Sequence, residues 1–158
     1  MILTTHALTG AVIGKTINSV PLIILLSIVI HYTMDSFRHA EYFDDRIATV
    51  KSTWWKIALD ILTGLIIIFL YIYYAQPSFI IIRNILLGTF ISMFPDLLTV
   101  LHWKFKKIPI LPQIKKFHSW AHRYSKFPKY GSERQWNLRN ARNDILISSA
   151  AITILFLF

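Results

Sequence analysis

The chain has 158 residues, about one domain's length, of which 54% are hydrophobic and 16% are charged. Disordered chains show the opposite balance, and ordinary soluble domains have about a quarter charged residues, so both classes are disfavoured. Because there is no cysteine, disulfides, thiolate metal sites and cysteine nucleophiles are excluded. Any metal must therefore be bound by histidine and carboxylate side chains.

Apolar segments dominate the sequence and predict an all-α integral membrane bundle of four to five helices. A membrane span needs about 17–25 mostly apolar residues, and open sheets are not tolerated in lipid. The second to fourth segments are long enough to span, whereas the first and last are short. In chain order the segments are 2–17, 19–36, 57–75, 78–101 and 145–158.

The positive charges are distributed unevenly between the two ends of such a bundle, which we treat as a single domain, 1–158. With alternating helices, Lys15 and Arg83 lie at one end and the other 15 of the 17 Lys and Arg residues at the other. Residues 104–143 contain 11 of them against one acid, Glu133, and form a basic loop with a short amphipathic helix. By the positive-inside rule, this end is cytoplasmic in a multi-pass protein of the inner (plasma) membrane.

Ionisable residues are costly to place within membrane segments, so their presence there is the usual indication of a functional site. In an antiparallel bundle, all the histidines and aspartates among them lie at the cytoplasmic end. Two groups have i, i+4 spacing, which lets neighbouring side chains bind one divalent ion. Such a set could bind two ions and hydrolyse a phosphoester, with an aspartate as proton acceptor. The candidate metal ligands are His6, His31, Asp35, His39, Asp60, Asp96, His118 and His122, with Asp35 and Asp96 as candidate catalytic residues.

Each of these residues also has a purely structural explanation. Asp60 and Asp96 could bond threonine or tryptophan side chains or pair with Lys56, and His31 with Asp35 could be a helix-surface pair. His102, beside Trp103 at a helix end, is more simply a hydrated histidine. Separate structural roles do not explain why all the others fall at one end, so the shared location favours a site.

Several of these motifs together resemble the membrane-bound metal-dependent hydrolase family of small inner-membrane proteins. The similar elements are T-H-A-L-T-G at 5–10, H-Y-T-M-D at 31–35 followed by His39, the Pro-Asp pair at 95–96, and F-H-S-W-A-H at 117–122. More remotely, the pattern is similar to zinc-dependent phospholipase C, whose late H-x-x-x-E motif has His122 in place of glutamate here. The resemblance implies one to three divalent metal ions, with zinc expected and manganese as the alternative, and a phosphoester or lipid substrate.

Two other functions use the same residues. The cluster could be part of a metal or proton transport path. Such a path needs polar residues in both halves of the bilayer, and the opposite half contains few beyond Lys15, Asn18 and Arg83. The cluster could also be a structural metal site in a non-enzymatic membrane protein. For the basic loop, we expect anionic lipid headgroups as partners in preference to nucleic acid, because the flanking helices hold the loop at the bilayer.

Overall fold

The computed structural model describes residues 1–41, 50–105, 108–122 and 135–158, except for the side chains of Val50, Trp103 and Lys104. Across these residues the structure is entirely helical, which confirms the all-α prediction. Part of the basic loop predicted at 104–143, namely residues 106–107 and 123–134, lies outside the described residues. The helices are α1 (Leu3–Thr16), α2 (Val20–Asp35), α3 (Val50–Ala75), α4 (Phe79–Lys104), α5 (Leu111–Ala121) and α6 (Leu138–Leu157).

Helix α1 is the centre of the fold and packs against α2, α3, α4 and α6. Its 14 residues extend over only about 21 Å, less than the roughly 30 Å of a bilayer's hydrocarbon core. Its closest neighbour is α4, because Gly10 lies against Gly88 and Gly14 lies against Asn84. These glycines let the two backbones touch, as small residues do between membrane helices.

Replacing Gly14 with valine is expected to destabilise the protein strongly. A Cβ atom at this position would overlap the backbone carbonyl of Asn84, which cannot move without shifting α4. Overpacking of this kind costs about 1–3 kcal/mol or more. Thermal unfolding in detergent would measure the loss. Gly64→Ala is the comparison variant, because its added Cβ would lie 3.1 Å from the Ala7 Cβ and 3.3 Å from the Thr4 Cα, a tight contact without the overlap expected at Gly14. An equal loss in both variants would contradict the packing assignment.

Two helices, α3 and α4, are long and apolar enough to cross a membrane. The qualifying stretches are Lys51–Ala75, with 25 residues, and Phe79–His102, with 24. Both helices expose many large apolar side chains on their outer faces, among them Leu62, Ile66 and Phe69 on α3. The apolar helix α2 is shorter, at 16 residues.

Helices α3 and α6 begin earlier than the apolar segments at 57 and 145 predicted. Helix α3 begins at Val50 and α6 at Leu138. The start of α6 is fixed by Asn137, whose side chain accepts a 2.9 Å hydrogen bond from the Asn140 backbone N–H. The loop predicted to extend to 143 therefore ends sooner, and α5 is the short helix predicted within it.

The helices alternate in direction, so one end of the fold gathers the polar side chains. At this end the backbone N–H groups of Ile2 and Thr4 donate to Asp144 and Asp60. At the opposite end, the Lys15 ammonium donates to the Leu155 carbonyl at 2.8 Å, in the last turn of α6, where cations are favoured. The sequence-based prediction of one polar end is thus met by the fold.

Candidate metal centre

Asp35, the last residue of α2, is the centre of the polar end and is fully buried. Its Oδ2 atom lies 3.1 Å from His31 Nε2 and 3.1 Å from His122 Nε2. Its Oδ1 atom lies 3.2 Å from His6 Nε2 and accepts a 2.6 Å hydrogen bond from the Met1 amino group. One buried carboxylate therefore has three imidazoles, from three parts of the chain, within reach of its two oxygens.

The orientation of His31 is set by its other ring nitrogen. His31 Nδ1 donates to the Ser92 carbonyl at 2.7 Å. In the neutral ring the lone pair is therefore on Nε2, and this atom faces Asp35. Among the described residues, His31 Nε2 and Asp35 Oδ2 have no hydrogen bond, although both are buried. Two such atoms 3.1 Å apart repel unless a proton on His31 Nε2 or a metal ion joins them.

Helix α5 brings His118 and His122 to the same carboxylate. These residues are one turn apart, and their Nε2 atoms lie only 2.8 Å from each other. Two such nitrogens can share one proton or bind metal ions, but two bare lone pairs at this distance repel. His118 Nε2 also lies 3.3 Å from Asp96 Oδ1 in α4. The late histidine pair is therefore part of the cluster.

His39 follows α2 and approaches the cluster from the side of His122. The rings of the two histidines lie 5.0 Å apart between centroids. His39 Nδ1 donates to the Phe37 carbonyl at 2.9 Å, which leaves Nε2 as the coordinating atom. Like His31, this histidine has one nitrogen fixed by the backbone and the other available to a ligand.

The ligand atoms form two groups that share Asp35. In each group the atoms lie within 4.8 Å of one another. A shared carboxylate between two ligand sets is the arrangement that holds two ions about 3.5–4 Å apart in binuclear sites. The first group is His31, Asp35, Asp96 and His118, and the second is Asp35, His39 and His122.

Two of these histidines are neutral at physiological pH. Burial, together with the nearby His122, lowers the pKa of His118 from 6.5 to about 3. Burial likewise holds the pKa of His39 well below its usual value. Since neutral imidazole is the form that binds metal, these side chains need not lose a proton to coordinate an ion.

The metal-free protein is expected to lose stability as the pH falls below about 6.5. Above this pH, His118 and His39 are neutral in both the folded and unfolded states, so they add no pH dependence. Below it, both histidines take up protons in the unfolded chain but stay neutral in the folded chain, His118 down to about pH 3. The cost approaches about 1.4 kcal/mol per pH unit and histidine.

Unfolding by SDS in the presence of EDTA, at pH 7.5 and pH 5.5, would test this expectation. The His118→Asn variant should show a smaller loss between the two pH values, because one of the depressed titrations is removed. A loss that is unchanged in this variant would contradict the assignment.

Asp96 differs from Asp35 in being accessible. The Asp96 side chain is 26% exposed, whereas the side chains of Asp35 and His31 are 0% exposed. Its Oδ2 atom lies 3.9 Å from His6 Nε2, opposite the contact with His118. The cluster is therefore closed on the side of α2 and open on the side of α4.

Asp60 is at the same end but has a different role from the predicted one. Its carboxylate accepts hydrogen bonds from the backbone N–H groups of Leu3 and Thr4, at 3.1 Å for Thr4. Because the first N–H groups of a helix have no partner within the helix, Asp60 caps α1. The structure does not bring it together with the seven other predicted ligands.

Asp144 is a buried aspartate at this end that sequence reasoning missed. Its Oδ1 atom accepts from the Ile2 backbone N–H at 3.0 Å, and its Oδ2 atom accepts from the Ala40 backbone N–H at 3.4 Å. The sequence did contain a signal for it, because Asp144 directly precedes the apolar segment 145–158. Asp60 and Asp144 together fix the start of α1, and this places His6 beside Asp35.

No family model, curated protein or solved structure matches this chain. The resemblance noted from the motifs therefore remains an expectation from the sequence. The structure itself shows a buried cluster of histidine and aspartate side chains that could hold a metal ion. It also shows two helices that are long and apolar enough to cross a membrane.

Proposed function

We propose that this protein is an integral membrane hydrolase that uses divalent metal, with zinc expected, to cleave a phosphoester at the cytoplasmic face of the inner membrane. The observation that supports the metal is the set of buried acceptor atoms around Asp35, two of which, Asp35 Oδ2 and His31 Nε2, have no hydrogen-bond partner among the described residues. Such atoms are costly in a folded protein unless a proton or a metal ion joins them, and the number of histidines around one carboxylate favours the metal.

The open side at Asp96 favours a catalytic site over a structural one. Structural metal sites are closed by protein ligands, whereas catalytic sites keep a position for water. Asp96 is partly exposed, yet it lies 3.3 Å from His118 Nε2. A carboxylate at that position can accept a proton from an attacking water molecule.

The roles of the side chains follow from these positions. A divalent ion held by these residues would supply an activated water, with a pKa of about 7, and a positive charge for the phosphoryl oxygens. Asp35 holds the histidines together, the Ser92 carbonyl orients His31, and Asp96 accepts the proton. Lys115 is three residues before His118 on α5, on the same face of that helix, and could bind a phosphate at this end of the fold.

Transport is the less favoured function because the ionisable groups of the opposite end are engaged in other contacts. Lys15 donates to the Leu155 carbonyl, and Arg83 donates to the Asn84 side chain at 2.8 Å. Neither forms part of a series of ionisable groups leading to Asp35 in the described part of the chain. A transport path would need such groups in both halves of the bilayer.

The metal content of the purified protein tests the proposal. We expect a stoichiometric divalent ion in the wild-type protein and its loss from His31→Ala and His118→Ala. His102→Ala is the matched control, a histidine substitution outside both ligand groups, and should keep the metal. Equal metal in all three variants would refute the ligand assignment. Hydrolysis of phosphomonoesters and phosphodiesters with added zinc or manganese then separates a hydrolase from a structural site.

A further inference from the structure

A cavity of about 310 Å³ lies between α3 and α4, next to the metal centre. It exists because both helices pack against α1 and make few direct contacts with each other in the described part of the chain. Its size is at the lower end of the range for ligand-binding pockets. The walls are almost entirely apolar and include Trp54, Ile61, Phe90, Met93 and Leu97.

Asp96 belongs to both the cavity and the metal centre. It is the one ionisable side chain that lines the cavity, and it lies 3.3 Å from His118 Nε2. It is also the accessible carboxylate of the cluster, 26% exposed against 0% for Asp35. The cavity therefore combines a long apolar wall with a single polar point, and that point faces the candidate ligands.

We propose that this cavity binds the alkyl chain of an amphiphilic phosphoester, with the polar head beside Asp96 and His118. This inference depends on the proposed hydrolase function and names its substrate class. The lining positions on α4 that lie beyond Asp96, away from the polar end, extend back to Phe90, about 9 Å along the helix. An alkyl chain from one leaflet can enter to that depth.

The location of the cavity explains how such a chain would enter. Helices α3 and α4 are the two candidate membrane spans, so a gap between them opens toward lipid. Water-soluble phosphoesters would leave the apolar walls without a partner, whereas an alkyl chain buries them. The other candidate occupant, a bulk lipid with no specific position for its head, is an outcome of the test below.

Photolabelling would test the proposal without requiring turnover. The probe is dodecyl phosphonate with a diazirine at the chain end, applied to the metal-loaded protein in nanodiscs, and the labelled residues are mapped by mass spectrometry. We expect labels on the lining residues of α3 and α4, and at least about tenfold better competition by dodecyl phosphonate than by ethyl phosphonate or dodecanol. Each added methylene should improve competition up to about fourfold until the cavity is filled.

Substitutions that fill the cavity separate this site from the surrounding lipid. Leu97→Trp should reduce specific labelling at least about tenfold. Ile61→Phe, on the opposite wall, is a second variant with the same expected effect. Leu62→Trp, on the outer face of α3, is the matched control and should label like the wild type. Retained metal would show that each variant is folded. Equal labelling in the filled and control variants, or labels spread evenly over the outer faces, would overturn the proposal.

Hydrolysis measured on ethyl and dodecyl esters distinguishes failure of this inference from failure of the proposed function. If the cavity is correct, KM for the dodecyl ester rises in Leu97→Trp while the ethyl ester is unaffected. If both esters are cleaved with the same KM in all variants, the cavity proposal fails and the hydrolase stands. If labelling is specific but neither ester is cleaved, the cavity binds an amphiphile and the hydrolase proposal fails.

Discussion

Replacing Asp35 with asparagine is expected to abolish metal binding at both ligand groups. Asp35 is the residue the two groups share, and its charge offsets the cost of gathering cations in a buried site. Asparagine keeps the size of the side chain but offers only one weaker, neutral oxygen. We expect affinity for zinc to fall by more than the roughly 10–100-fold seen when a group that only orients a ligand is removed.

Metal titration of the purified variant, followed by a competing chelator, would measure this loss. Asp60→Asn is the matched control, because Asp60 is at the same end of the fold but accepts hydrogen bonds from the α1 backbone. This control should reduce thermal stability by about 1 kcal/mol, the usual value of a helix cap, and keep its metal. Wild-type affinity in Asp35→Asn would contradict the central role of this carboxylate.

Much of the cluster could be predicted because helical spacing and alternation are local or nearly local rules. The i, i+4 spacing of His31 with Asp35 places both side chains on one face of α2, and they do lie 3.1 Å apart. The alternation of helix direction then places His6 and Asp96 at the same end. These inferences needed no knowledge of which helix packs against which.

The roles of the individual aspartates could not be predicted in the same way. Asp60 and Asp96 are each the single acidic residue of an apolar segment, and the sequence pattern treats them alike. What separates them is tertiary: the start of α1 lies beside Asp60, while His118 of α5 lies beside Asp96. Asp144 was missed for the same reason, because its partners Ile2 and Ala40 are far away in the chain.

The cavity was also beyond sequence reasoning, since it depends on how α1 separates α3 from α4. The contact of Gly10 with Gly88 draws α1 closely against α4, and Gly64 lies near Ala7 on the α3 side of α1. With α1 as a shared neighbour, α3 and α4 approach each other only slightly. Hydropathy detects both helices as apolar but gives no information about a gap between them.

Replacing Asp96 with asparagine is expected to reduce hydrolysis by roughly 10²–10⁴-fold, the contribution typical of a positioned proton acceptor. Asp96 belongs to only one of the two ligand groups, so the group formed by Asp35, His39 and His122 remains complete. Metal content should therefore fall by no more than about half. The loss of turnover should be far larger than the loss of metal, which distinguishes this variant from Asp35→Asn, where both disappear together.

The measurement is the turnover of a dodecyl phosphoester per folded protein, with metal content determined on the same sample. Asp60→Asn again provides the control, because it removes a carboxylate with no contact to the ligand histidines among the described residues. A pH profile adds a second readout: an aspartate acting as proton acceptor gives an acidic limb that asparagine removes. If Asp96→Asn keeps wild-type turnover, the proton must pass to another group, and the open side of the cluster would have to be assigned to substrate binding alone.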